Sequence, residues 1–273
     1  MNAPGPARRD PLGELTANRI DPEARLAVHY ALQPVAAVGQ SLAPKAPDDS
    51  QQSLCSGGPT RWLGTTAVGG ALRAGLEAVR LELQLCDAAG APLASLPLAG
   101  RTLSDALAFL RAELERRGQP AAALVLPTHP PDFPRHTIGD GAAFPRDGAA
   151  ARADLARLFA GTGEVLEAVR PDPAIPVRLW PHHFDLAASW TAGGASVGLG
   201  FSPGDEGSQG QPYWYATIDP RPARPPPLVG GGSWRTSGWW GAELPFSRLA
   251  PPGERREQLA AFFRSALTAA RAG

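Results

Sequence analysis

The amino-acid sequence predicts an α+β fold of mostly antiparallel strands with flanking helices, and three observations predict it. Segments such as VRLELQLCD alternate apolar and polar residues with the two-residue period of a half-buried strand. Other segments repeat their apolar positions at helical spacing behind recognisable caps. The order helix, antiparallel strands, helix occurs twice, over about 21–127 and 149–273. That order predicts one integrated domain made of two similar halves.

Residues 1–20, rich in Pro, Gly and Arg, read as a disordered tail. Asp21-Pro22-Glu23 then supplies an N-cap, a proline for the first turn and an acid at the positive end of the helix dipole. This helix runs through ARLAVHYALQ with His29 as a boundary residue, and Pro34 kinks or ends its regular part. WLGTTAVGG from Trp62 and VRLELQLCD from Val79 read as strands, and PLASLPL returns as a hairpin arm after Ala88-Ala89-Gly90. Thr102 and Asp105 open a second helix that stops at Gly118. Ala122–Leu126 reads as another strand. THPPDFPRH, which carries His129 and His136, reads as a loop that either lids a pocket or wraps the surface. A third helix covers Ala149–Val169, and strands follow at VRLWPHHFDLAASW, SVGLGF, PYWYATI and WWGAEL. PPGERREQLAAFFRSALTAAR forms the last helix.

Composition narrows the function. Lysine plus arginine number 26 and aspartate plus glutamate 26, a balance that speaks against nucleic acid, whose binders carry a basic excess. No run reaches the roughly 20 apolar residues of a membrane span, and the N-terminus lacks a secretory core, so the expected compartment is the cytoplasm. Two cysteines, Cys55 and Cys86, make neither a disulfide framework nor a thiolate zinc site. Phosphate-binding loops, dinucleotide fingerprints, H-E-x-x-H and a nucleophile elbow with a supporting triad are absent from the sequence.

The chemistry concentrates in Val177–Trp190, VRLWPHHFDLAASW. On a continuous strand, His183 and Asp185 share one face while Trp180, His182 and Phe184 share the other. His183 and Asp185 then make a base with its orienting acid, or part of a metal site. In SPGDE, Pro203-Gly204 suits a type II turn that presents Asp205 and Glu206 at a strand end. His183, Asp185 and Glu206 are the candidate catalytic residues; His183, Asp185 and Asp205 are candidate ligands for a divalent metal. Each also has a plain structural explanation, as a hydrogen-bonded polar pair or a solvated acidic turn. Six of the seven tryptophans fall at Trp180 or later, and a wall of tryptophan and tyrosine beside a few polar groups is how ligand pockets are built. Trp180, Tyr213, Tyr215, Trp234 and Trp239 are the candidate walls, with Arg235 to anchor a carboxylate or phosphate.

VRLWPHHFDLA, VGLGFSPGDE, PYWYATIDPRP and GGGSWRTSGWWGAEL together resemble a family of uncharacterised bacterial proteins, a domain of unknown function. ARLAVHYALQPVAAVGQSL and LPLAGRTLSDALAFLRAEL in the first half resemble it too. The resemblance implies a single unit in which both halves belong together, and it implies no activity. Members of that family carry histidines where this chain has Ser233 and Arg235, which removes two natural metal ligands. The expectation is an aromatic-walled polar pocket for a small, anionic molecule, worked by acid–base or metal-assisted chemistry. A binding module without turnover and a structural or partner-binding protein are the alternatives.

Overall fold

The computed structural model describes residues 10–15, 19–204 and 210–271. Among them, four helices and eleven strands form two layers, an α+β fold with one antiparallel sheet. The helices are α1 (Pro22–Leu42), α2 (Leu103–Glu115), α3 (Ala149–Val169) and α4 (Arg255–Arg271). The first half contributes β1 (Leu54–Gly58), β2 (Arg61–Gly64), β3 (Leu72–Glu77), β4 (Glu82–Asp87) and β5 (Pro92–Pro97). The second contributes β6 (Val177–Trp180), β7 (Asp185–Ala192), β8 (Ala195–Ser202), β9 (Tyr213–Asp219), β10 (Ser233–Arg235) and β11 (Gly241–Pro245).

The sheet runs β10-β11-β9-β8-β7-β6-β1-β2-β3-β4-β5, so β1–β5 and β6–β9 are meanders, β11 skips over β10 to pair with β9, and the two halves meet where β1 pairs with β6, Leu54 opposite Leu179. The helices make a second layer in which α2, α1, α3 and α4 touch in that order. The duplicated order read from the sequence thus appears as a near-symmetric arrangement about the β1–β6 seam. Phe159 of α3 joins the halves, packing against Trp62 of β2, Phe201 of β8 and Phe184. Among the described residues, no helix is long and apolar enough to cross a membrane.

Asp21 caps α1 by accepting the Ala24 amide at 2.8 Å, and Thr102 and Asp105 cap α2 reciprocally, both as the sequence predicts. Pro34, however, does not end α1. Every residue from Ala27 to Gly39 is buried, so packing on all sides holds the helix through the one backbone bond that proline cannot make. Gly39 is needed here, because a Cβ would overlap the Gln51 carbonyl of the following loop.

Four further expectations change. Of the expected tail, Asp10–Leu15 packs against the body, with Leu12 fully buried against Gly161 of α3; residues 1–9 and 16–18 lie outside the described residues. The strand expected from Val79 begins at Glu82, since Val79–Leu81 turn the chain and Leu81 takes a left-handed φ of 50°. Ala121–Ala123 is a 3₁₀ turn and no strand forms at Ala122–Leu126. Finally, VRLWPHHFDLAASW is a hairpin instead of one strand: Trp180 pairs with Asp185, and the Phe184 amide closes the loop onto the Trp180 carbonyl at 2.8 Å. Pro181 starts that turn and Phe184 ends it at a φ of 57°. A bulky residue adopts this conformation at a cost of about 1–2 kcal/mol, which burial of its ring against His29 and Phe159 offsets.

His29 and Gln33 of α1 both hold the carbonyl of Pro181, at 2.9 and 2.8 Å. His29 is therefore a buried latch between the halves and not a boundary residue. Burial lowers its pKa to about 3, so folding requires the neutral ring. Its contribution to stability is complete above the ordinary value near 6.5 and is lost as pH falls toward 3. Urea unfolding should show His29 costing about 2 kcal/mol between pH 7.5 and pH 5. His29→Gln, which can still reach Pro181, should be less stable at pH 7.5 and have a shallower loss over that interval.

Candidate functional site

Alternation along three neighbouring strands builds the site. In β8, Val197, Leu199 and Phe201 are buried on the helix side, which places Gly198, Gly200 and Ser202 on the opposite face. In β9, Trp214 turns to the helices and donates from Nε1 to Thr162 Oγ1 of α3 at 2.8 Å. Tyr213, Tyr215 and Thr217 therefore stand on the face away from the helices. Gly200 lies directly opposite Tyr215, and a Cβ there would overlap the Tyr215 ring. With no side chain at Gly200, the ring lies across β8 and its hydroxyl donates to Asp185 Oδ2 at the start of β7. At Gly198 the same vacancy admits Thr217, whose Oγ1 is 2.7 Å from where a Cβ would sit.

This Asp185–Tyr215 pair is shared by two adjoining hollows of about 620 and 610 Å³. Both also use His182, His183 and Thr217. The first extends past Tyr213 and Trp239 to Arg25 of α1 and to Asp132 and Arg135. The second extends past Trp180 to Asp48 and Asp49, after α1, and to His129. The loop Thr128–His136 is a fixed wall and not a strap on the surface. Phe133 stacks on His129 at 3.7 Å and meets His29 at 4.6 Å, and Tyr30 donates to the Pro134 carbonyl at 2.7 Å.

Of the residues expected to form a pocket, His183, Asp185, Trp180, Tyr213, Tyr215 and Trp239 are brought together here. His183 does not orient on Asp185 through a shared strand face, because the turn swings it out; its Nδ1 lies 3.9 Å from Asp132 Oδ2. Arg235 stands apart from the residues that line the hollows. It pairs with Glu243 at 3.1 Å and lies over the Trp239 ring at 5.3 Å, outside the lining. Trp234 stacks on Trp240 and donates to the Pro226 carbonyl, also outside the lining. Asp205 and Glu206 lie outside the described residues. Among the described residues, no three His, Cys, Asp or Glu side chains gather closely enough to hold a metal ion.

Burial sets the electrostatics. It raises the pKa of Asp185 against the opposing hydrogen bond from Tyr215, and it raises the Tyr215 phenol well above 10, with the Asp185 charge adding to the rise. Burial, reinforced by the neighbouring His183, lowers His182 to about 4, and burial lowers His129. The lining histidines His29 and His182 are thus uncharged at neutral pH. All five histidines of the chain collect at this end of the molecule, since His136 contacts Tyr30 and Glu23 beside the same wall. Spacing could not reveal this, because His29, His129 and His182 come from three separate segments.

No family model, curated protein or solved structure matches this chain.

Two outcomes follow from the floor of the site. Gly200→Ala should displace the Tyr215 ring and destabilise by about 1–3 kcal/mol in urea unfolding, as overpacked sites do. The raised Asp185 pKa means that the folded state holds this proton more tightly than the unfolded state. Ionisation therefore costs stability as pH rises through the folded value. Asp185→Asn keeps an acceptor for Tyr215 and removes that cost. Its Tm should exceed the parent's at pH 8, with the difference shrinking as pH is lowered toward 4.

Proposed function

We propose that the protein binds a small molecule in this double hollow and acts on it by acid–base chemistry centred on Asp185. The observation that carries this reading is the Asp185–Tyr215 pair on a floor common to both lobes, walled by Trp180, Tyr213 and Trp239. A carboxyl whose pKa is raised by burial is closer to the range in which a proton can be both held and released at neutral pH. The Tyr215 hydroxyl fixes its orientation. His183, half-exposed and 3.9 Å from Asp132, stands between this floor and solvent and is suited to relay the proton. Ser189, Ser202 and Thr217 offer neutral hydrogen-bonding groups for orientation. We place this activity in the cytoplasm and in a single folded unit comprising both halves.

Binding without turnover is the second reading, and the mutual satisfaction of Asp185 and Tyr215 favours it, since neither then needs a reacting partner. A thermal-shift screen of a metabolite library separates the two. Hits should stabilise the parent protein and fail to stabilise Trp239→Ala. Each hit is then incubated with the protein and followed by mass spectrometry. Conversion by the parent with at least a hundredfold loss in Asp185→Asn supports chemistry; recovery of every hit unchanged supports binding alone. A library without a single hit that depends on Trp239 would remove the hollow as the functional site.

A further inference from the structure

We propose that the hollow selects a small organic amine, its ammonium group resting on the Asp185 carboxylate beside the rings of Tyr213, Tyr215 and Trp239. This rests on the small-molecule reading above and adds the chemical class of the ligand.

Four observations point to a cation. Among the described residues, Asp185 has no arginine or lysine partner, and its one side-chain hydrogen-bond partner is the neutral Tyr215 hydroxyl. A carboxylate withdrawn from water with a single neutral donor gains most from a positive group that approaches it. The rings beside it form a close triangle, with centroids 6.2 Å apart for Tyr213–Tyr215, 6.3 Å for Tyr215–Trp239 and 6.4 Å for Tyr213–Trp239. Aromatic faces attract ammonium and guanidinium groups, and Trp239 already does so with Arg235 at 5.3 Å. Furthermore, burial keeps two of the histidines lining the larger lobe, His29 and His182, neutral at pH 7, and the third, His183, sets its Nδ1 3.9 Å from Asp132. Finally, the lobe beyond Trp180 has three acids among its described lining residues, Asp48, Asp49 and Asp185; Asp48 and Asp49 meet Arg178 and Lys45 at 3.5 and 4.0 Å, and Asp185 meets neither.

An anion lacks comparable support. Arg235, the side chain whose type suggests an anchor, is committed to Glu243. Arg25 donates to the Gly204 carbonyl, and Arg135 is exposed at the edge of the larger lobe, beside Asp132. An amine bound at Asp185 would leave these arginines to a polar group elsewhere on the ligand.

Three matched series test the proposal on the full chain at pH 7: primary amines from butylamine to phenethylamine, the corresponding alcohols, and the corresponding carboxylates. Affinities come from tryptophan fluorescence and calorimetry. Amines should bind at least tenfold more tightly than their alcohols, and carboxylates more weakly than either. Asp185→Asn should erase the amine preference, bringing amine affinities down to those of the matching alcohols. Alcohols or carboxylates that bind as well as the amines, with binding lost in Trp239→Ala, would overturn the amine proposal and leave the small-molecule site standing. An amine preference that survives in Asp185→Asn would overturn it as well. If no member of any series binds, the amine proposal falls, and the metabolite-library screen decides the small-molecule reading by itself. The comparison of series needs only the parent chain, so a variant that does not fold leaves the question decidable.

Discussion

The carbonyl of Pro181 receives two hydrogen bonds from α1, one from His29 and one from Gln33, and the whole site depends on that double contact. It ties a helix of the first half to a hairpin of the second across about 150 positions of chain. The hairpin in turn begins β7 at Asp185 and carries His182 and His183 on its turn. If the turn shifted, the carboxyl floor, the two histidines and the ring of Phe184 would move together. The left-handed Phe184 is the strained element of this arrangement. Stacking on His29, 5.0 Å away, holds it in place.

A second constraint is the one-sided placement of the helices. All four pack on the same face of the sheet, and the strands of the second half are sorted accordingly. Large apolar residues such as Phe201 and Trp214 go to the helices, where Trp214 also satisfies its indole N–H on Thr162. The residues between them face the other way, and there two glycines in β8 leave a shallow trough. Tyr215 and Thr217 fill that trough instead of standing up from it. The result is a polar floor with aromatic sides, and among the described residues its partly buried acid has no arginine or lysine partner. Such an arrangement lowers stability at neutral pH, a pattern that fits a site retained for function.

Much of the scaffold was legible because it is determined locally. The Asp21 cap, the Thr102–Asp105 box, the helical spacing of α3 and α4 and the alternation in SVGLGF and PYWYATI are set by neighbours a few residues apart. Errors arose where packing overrode local preference. Pro34 is carried through α1 by burial on every side, and Leu12 is drawn out of a Pro-rich segment by the space over Gly161. WPHHFD looks like a continuation of a strand until the Phe184 ring has somewhere to be buried. For the site, the aromatic residues Trp180, Tyr213, Tyr215 and Trp239 were apparent from their clustering. Arg235 and Trp234 are held outside the lining by partners, Glu243 and Pro226, that only the fold supplies.

By itself, then, the sequence determined the antiparallel α+β class, the twofold order of helix and strands, and the stretch that supplies the middle of the candidate site. Periodicity, caps and residue type are properties of short segments and survive without a fold. Only the tertiary structure decided which groups meet. Tyr215 reaches Asp185 because β8 offers no side chain between them. His29 and the 128–136 loop join the site because α1 crosses the seam between the halves. A partly buried acid with a raised pKa, two neutral histidines and an arginine paired with its neighbour are products of burial and pairing between distant segments, which no local pattern encodes.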